Sequence, residues 1–372
     1  MKNFHKLTRR GMLGTMMTGA AGVALGSFLQ NEVKAEDAAA APAAAPKKVI
    51  VGDPRVRGPF PILSTPFTET GAVDYDVLAK QAQFVDDCGS SGMIWPQSGD
   101  SVDLLTMEEK LKGMEVLADA MKGRKAALCL GVQGKDTEEM LIYARHVEKL
   151  APPAIISRPP DEGKTQDDMR EYWEALAKTV NRPVIIQTSG GTKYTGPGPS
   201  VELLIDLGKK YEHFGYVKEE TGPIIQRMQQ LNAAKPAIKC IFSAMGGFGW
   251  LHQFRYGSEG LVTERAVYAD LLARVWSSFE AGNMTDSADV FSKILLMLNL
   301  KETIPCNQLR GYHLYVWQKR GVFKNRISRN YGPKNAIPET PSFSEMALTQ
   351  EQMDEIDMRL EVLKPYFKVP MN

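Results

Sequence analysis

The sequence predicts a (β/α)8 barrel with an appended helical segment. Three observations carry this. From Pro59 onward, short apolar β-rich runs alternate with helical patterns of ten to eighteen residues, which is how parallel βαβ units read. The strand candidates number eight, which is a barrel's complement. An open doubly wound sheet would want a glycine-rich G-x-G-x-x-G turn after its first strand, and residues 60–70 contain none.

The eight strand candidates are Phe60–Pro66, Met93–Gln97, Ala126–Val132, Ala154–Ser157, Val184–Thr188, Gly215–Glu219, Ile238–Ser243 and Gly260–Thr263. Between them lie helical patterns over Asp74–Asp87, Thr106–Met121, Asp136–Leu150, Gln166–Thr179, Ser200–Tyr211, Pro223–Ala234, a short stretch near Gly247–Phe254, and Glu264–Ala281. Several starts are chemically legible. Thr106 followed by Glu109 fits a capping box, Asp136 can cap the third helix, and Pro223 suits the first turn of the sixth. The barrel is expected over residues 57–282. Residues 283–372 continue helical over Asp286–Leu298, Glu302–Arg320 and Thr349–Lys364, interrupted by a proline-rich stretch from Pro333 to Pro341.

Residues 1–35 stand apart from this pattern. Lys2, Lys6, Arg9 and Arg10 form a basic start, and an uncharged run rich in glycine and alanine follows from Met12 to Leu29. That is a secretory signal pattern. Thr8-Arg9-Arg10-Gly11-Met12-Leu13 resembles a twin-arginine export signal, with Val33-Lys34-Ala35 as a small-residue cleavage site. Residues 36–56 then read as an Ala/Pro-rich linker. The expected address is the periplasm or another extracytoplasmic space, with no membrane attachment after cleavage. The competing reading is a transmembrane anchor, because the run is about 18 residues long, at the short end of a membrane span; its many glycines argue against permanent residence.

Charge and cysteine content exclude several function classes. Lys plus Arg number 45 against 44 for Asp plus Glu, a net charge of +1, so no long-range field gathers nucleic acid. Cys88, Cys129, Cys240 and Cys306 are widely spaced and form no C-x-x-C pair. Cys129 and Cys240 lie in apolar runs and read as small buried hydrophobes rather than disulfide partners. The five histidines are scattered, so no metal site is expected, and no external cofactor either.

In such a barrel the site forms at the C-terminal strand ends. Lys218, in Tyr216-Val217-Lys218-Glu219-Glu220-Thr221-Gly222, is the outlier, because it places a lysine inside a short strand. Side chains alternate along a strand, so Tyr216, Lys218 and Glu220 share one face. If that face points inward, the amine is dehydrated and its neutral, nucleophilic form is favoured. The bland reading is a lysine ion-paired to Glu219 or Glu220 at a strand end.

Val217-Lys218-Glu219-Glu220-Thr221-Gly222 is similar to the V/I-K-E-x-T/S-G stretch of the dihydrodipicolinate synthase and N-acetylneuraminate lyase family, in which the lysine forms a Schiff base. The resemblance extends from about residue 57 to 320. Pro66-Phe67 with Gly71-Ala72-Val73-Asp74 resembles the family's opening T-P-F-x-x-x-G-x-v-D. Gly89-Ser90-Ser91-Gly92-Met93-Ile94, Gly99-Asp100-Ser101, Arg182-Pro183-Val184-Ile185-Ile186 and Gly257-Ser258-Glu259-Gly260-Leu261-Val262 match later motifs in order. What the resemblance implies is a lysine-dependent lyase, aldolase or dehydratase acting on a 2-oxo acid or sugar-acid-like substrate, built as a homo-oligomer, a dimer or tetramer.

The departures are informative. The family's strand-four tyrosine, which relays protons, is absent from Ala154-Ile155-Ile156-Ser157-Arg158-Pro159, and Ile156 or a close neighbour stands in its place. The family's G-T-T-G-E carboxylate-binding loop reads Pro96-Gln97-Ser98-Gly99-Asp100, which leaves Gln97 and Ser98 as carboxylate contacts. The strand-five Y-N becomes Gln187-Thr188. Arg158 can pair with a substrate carboxylate or form a salt bridge, and Tyr194 can substitute for the missing relay or simply pack on the rim. Loss of the relay also leaves room for a second reading, an exported binding protein for an oxo acid that no longer turns it over.

Overall fold

The computed structural model describes residues 51–304 and 309–371. The expected signal (residues 1–35) and most of the expected linker (residues 36–56) therefore lie outside the described residues, as does Cys306.

Eight parallel strands form one sheet: β1 (Gly58–Pro61), β2 (Gly92–Trp95), β3 (Ala127–Gly131), β4 (Ala154–Ser157), β5 (Val184–Gln187), β6 (Tyr216–Lys218), β7 (Cys240–Ser243) and β8 (Ser258–Thr263). The order β1-β8-β7-β6-β5-β4-β3-β2 brings the first two strands to opposite ends of the ladder. They meet through a parallel bridge between Ile62 and Ile94, where the Leu63 amide donates to the Ile94 carbonyl at 2.9 Å. That seam closes the (β/α)8 barrel.

The helices between strands are α1 (Tyr75–Asp87), α2 (Met107–Ala120), α3 (Thr137–Leu150), α4 (Gln166–Ala177), α5 (Val201–Lys210), α6 (Ile224–Ala233), α7 (Trp250–Gln253) and α8 (Ala269–Glu280). Local chemistry sets their starts. Thr106 and Glu109 form the expected capping box, and the Asp136 carboxylate accepts from the Glu139 amide. Pro223 sits one position earlier than its sequence suggests, as the residue preceding α6 rather than within its first turn.

Alternation along the strands divides the core in two. Phe60, Ile94, Ala127, Cys129, Ala154, Ile156, Ile185, Tyr216, Cys240, Phe242 and Val262 pack as one cluster inside the barrel. The larger cluster fills the layer between strands and helices. Lys218 follows Tyr216 by two residues and so continues the inward face toward the C-terminal end.

Beyond the barrel come α9 (Met284–Leu298), α10 (Leu309–Lys319) and α11 (Gln350–Leu363). An antiparallel ribbon of β9 (Ile327–Arg329) and β10 (Phe343–Glu345) occupies part of the stretch between α10 and α11. The ribbon has no sequence signature, because each strand is three residues long with a single apolar residue, Ile327 or Phe343. Arg329, at its end, ties it to the barrel through Glu109, at 2.6 and 2.7 Å, and through the carbonyls of Gly71 and Leu104.

The deepest link between barrel and extension is the ion pair of Arg320 and Asp270, 2.8 Å apart with both side chains fully buried. The guanidinium also donates to the carbonyls of Val267 and Val369 and lies 3.9 Å from the Phe367 ring centroid. The Lys368 amide donates to Asp270 at 3.0 Å. Removing one member of such a pair leaves a buried charge uncompensated, at a cost of about 3–5 kcal/mol. Asp270→Ala is therefore expected to lower unfolding stability by about that amount, measured by urea denaturation; a loss below about 1 kcal/mol would show that water reaches the pair.

Candidate active site

The site is assembled at the C-terminal ends of β2, β4, β5 and β6. Lys218, the last residue of β6, is 3% exposed. Its Nζ donates to Gln187 Oε1 at 3.0 Å and lies 3.1 Å from Glu220 Oε1. Both partners follow from register and alternation: Gln187 is the β5 residue directly paired with Lys218, and Glu220 is two positions further along the same face. The other oxygen of Glu220 accepts from the Ser189 hydroxyl, and Gln187 Nε2 donates to that hydroxyl and to the Ser189 carbonyl, each at 3.0 Å. Lys218, Gln187, Ser189 and Glu220 thus close a ring of hydrogen bonds.

Glu219 points the other way. Its carboxylate takes the Thr188 hydroxyl at 2.9 Å, the Thr221 amide at 2.8 Å and Arg227 at 3.1 Å. Burial, opposed by Arg227, pushes its carboxyl above the usual range. The residues at the strand-five departure, Gln187 and Thr188, are therefore the ones that hold Lys218 and Glu219.

A second polar group lies on the ends of β2 and β4. Arg158 is buried and donates to the Ser98 hydroxyl at 2.7 Å and to Asp103 at 2.8 Å. Burial raises the Asp103 carboxyl, but the adjacent Arg158 guanidinium outweighs it and holds the group below its ordinary value. Gln97 is fully buried, and its Oε1 accepts from the Ser98 amide at 2.6 Å. Gln97, Ser98 and Arg158 thus form one connected set. Gln97 Nε2 and Arg158 Nε find no acceptor among the described residues. Arg158 already faces two carboxylates, Asp103 at 2.8 Å and Asp161 at 3.5 Å, so what the set offers a ligand is two buried hydrogen-bond donors rather than net positive charge.

Tyr194 is placed differently. Its hydroxyl donates to the Pro197 carbonyl at 2.5 Å, with Met169 Sδ at 3.7 Å, and it makes no contact with Lys218. Ile156 lies in the inner apolar cluster, so that position presents no hydroxyl to the amine. Among the described residues, no group of three or more His, Cys, Asp or Glu side chains is arranged to hold a metal ion.

Sequence reasoning flagged Gln187 only as a departure and passed over Ser189. Two signals mark them in retrospect: the pairing of β5 with β6, and the polar Gln-Thr-Ser run where a parallel strand leaves its apolar core.

Beside this group, a cavity of about 240 Å³ lies between the ends of β1 and β8, the loop after β2, and α10. Thr65, Asp100, Arg265, Arg310 and His313 line it, and Lys218 does not. Burial, together with Arg265 and Arg310, holds the His313 imidazole well below its ordinary value. Burial pushes the Asp100 carboxyl up, against the Thr65 hydroxyl and amide that bond to it.

An eight-stranded barrel with a buried lysine at the C-terminal end of its sixth strand defines a class of lysine-bearing (β/α)8 proteins. The chain belongs to the dihydrodipicolinate synthetase family, whose sequence profile matches residues 55–308. A 4-hydroxy-tetrahydrodipicolinate synthase of Rhizobium meliloti (strain 1021) is 26% identical over 253 residues, covering 64% of this chain and 80% of that protein. The solved N-acetylneuraminate lyase of Proteus mirabilis superposes with a TM-score of 0.64 at 18% identity, covering 82% of this chain and 98% of the other. A solved Ruminococcus gnavus sialic acid aldolase, described as a catalytic lysine mutant, gives 0.69 at 16% identity, covering 84% and 97%. At these identities the structural likenesses establish the fold.

The raised Asp100 has a consequence for stability. The folded carboxyl keeps its proton to higher pH than the unfolded chain does, so its destabilising effect is complete above the folded pKa and disappears below the unfolded one. Asp100→Asn, which can still accept from the Thr65 amide, is expected to unfold no earlier than the parent at pH 7. The difference between the two should shrink as pH falls toward 4, just above the ordinary Asp pKa of about 3.9. Melting curves across that range check this; a difference that grows on acidification would contradict it.

Proposed function

We propose that this protein is a Schiff-base-forming lyase, aldolase or dehydratase that acts on a 2-oxo acid or a related sugar-acid-like carbonyl compound. The observation that carries the reading is the Lys218 amine, buried on the inner face at the C-terminal end of β6 and held by Gln187 and Glu220. An amine so placed attacks the ketone carbon, and the protonated imine then serves as an electron sink for C–C or C–O cleavage. The carboxylate of the acid is taken by Gln97 and Ser98, with Arg158 behind them, where the unpartnered donors lie. No external cofactor is required for this chemistry. Membership of a family whose relatives are named as synthases and lyases supports the reading.

One observation favours a second reading. Ile156 or a close neighbour stands where the family resemblance implies a proton-relaying tyrosine, Ile156 itself is packed in the inner apolar cluster, and Tyr194 does not reach the amine. A binding protein for an oxo acid would retain the pocket without needing the relay.

The two readings separate in one experiment. A panel of pyruvate, 2-oxobutyrate and 2-oxoglutarate is incubated with the protein, reduced with borohydride, and examined by intact mass. We expect at least one acid to add its reduced mass to the parent and none to Lys218→Ala. Calorimetric binding of an acid that never traps would instead support the binding protein.

We further propose that residues 1–35 direct export through the twin-arginine route and that the protein works outside the cytoplasm as a homo-oligomer. The Arg9-Arg10 pair followed by the uncharged run supports the export route. Arg9→Lys with Arg10→Lys is expected to leave the precursor inside the cell; fractionation showing unchanged export would end this part of the reading.

A further inference from the structure

We propose that Glu220 is the acid–base catalyst of imine formation, carrying the protons that Ile156 cannot. The proposal rests on the reading of Lys218 as the imine-forming residue and adds the group that makes it react.

The geometry points to Glu220 in three ways. Among the described residues its carboxylate is the one in contact with the Lys218 amine, at 3.1 Å. The other carboxylates nearby are committed elsewhere: Glu219 to Arg227, Thr188 and Thr221, and Asp103 to Arg158 and Thr192. Second, the carboxylate is held from behind. Ser189 donates to its far oxygen, Gln187 donates to Ser189, and the Glu220 amide donates to Thr188 Oγ1 at 2.8 Å. The near oxygen therefore stays on the amine. Third, Glu220 is half-buried with its side chain 12% exposed, open enough to exchange a proton during a catalytic cycle, while Lys218 is nearly sealed.

The proton account closes on these two side chains. An ammonium cannot attack a carbonyl, so Lys218 first passes a proton to Glu220. The neutral nitrogen forms the C–N bond while the C=O electron pair moves onto oxygen. Glu220 gives its proton to that oxygen and takes one from the nitrogen, which leaves a neutral carbinolamine and a protonated carboxyl. Glu220 then protonates the hydroxyl, the C–O bond breaks, water leaves, and the nitrogen lone pair completes the iminium. Both protons of the released water come from the original ammonium, and Glu220 begins and ends as a carboxylate. No other reactant is needed.

A purely structural ion pair makes a different prediction, and the variants separate the two. Glu220→Gln keeps the side-chain shape and can still accept from Ser189, but its amide cannot take up and release a proton as a carboxylate does; Glu220→Asp keeps the carboxylate one methylene short. The rate at which trappable imine accumulates is followed by quenching with borohydride at timed intervals and reading intact mass. The acid used is the panel member that traps fastest on the parent. General acid–base help contributes on the order of a hundred- to ten-thousand-fold. Glu220→Gln should slow trapping by that order while calorimetric binding of the acid stays within a few-fold of the parent, and Glu220→Asp should fall between. Trapping by Glu220→Gln at the parent's rate overturns the proposal. So does Glu220→Asp trapping no faster than Glu220→Gln while both melt as the parent does. If the parent itself never traps, the reading of Lys218 fails first and takes this one with it.

Discussion

The constraint on which this structure turns is a primary amine enclosed at the end of a barrel strand. Lys218 is all but removed from water, and an ammonium buried without compensation is far too costly to persist. Everything around it answers that requirement. β5 supplies an amide oxygen at 3.0 Å, the same strand face supplies a carboxylate at 3.1 Å, and Ser189 and Gln187 complete the ring behind them. The ring depends on strand pairing, because Gln187 meets Lys218 only through the β5–β6 register. A slip of one residue would turn Lys218 outward and bring Val217 to the inner face.

The extension beyond residue 282 is tied to the barrel by charge as well as by apolar contact. Arg320 and Asp270 form a fully buried pair that also takes the Lys368 amide and the Val369 carbonyl, and Arg329 clamps the ribbon to Glu109 and two carbonyls. These two arginines hold α10 and the ribbon against the end of the barrel, so that Arg310 and His313 of α10 and Ser328 of β9 line the cavity next to Asp100. The extension is thus part of the wall at the site end of the barrel.

Much of this was legible from the sequence because two periodicities differ. A period of two in short β-rich runs and a period near 3.6 in the longer ones separate strands from helices without reference to tertiary context. The same alternation put Tyr216, Lys218 and Glu220 on one face, and the chain folds so. Gln97, Ser98 and Arg158 come together because β2 and β4 end near one another, which the sequence alone could only suggest through family likeness. Tyr194 illustrates the limit. Its loop contains Gly190, Gly191 and Gly196, and where such a loop carries its tyrosine depends on packing that no local rule specifies. The Gln187–Ser189–Glu220 ring was equally hidden, since it depends on side-chain reach across two strands rather than on spacing along one.

The central claim is that the enclosed amine of Lys218 is a nucleophile toward a 2-oxo acid. A crystal structure of the protein soaked with the trapped acid tests it most directly. The account predicts continuous density from Lys218 Nζ to the acid's C2, with the acid's carboxylate against Gln97 and Ser98. An acid lying unattached in the barrel mouth, with the Lys218–Glu220 pair intact, would contradict it.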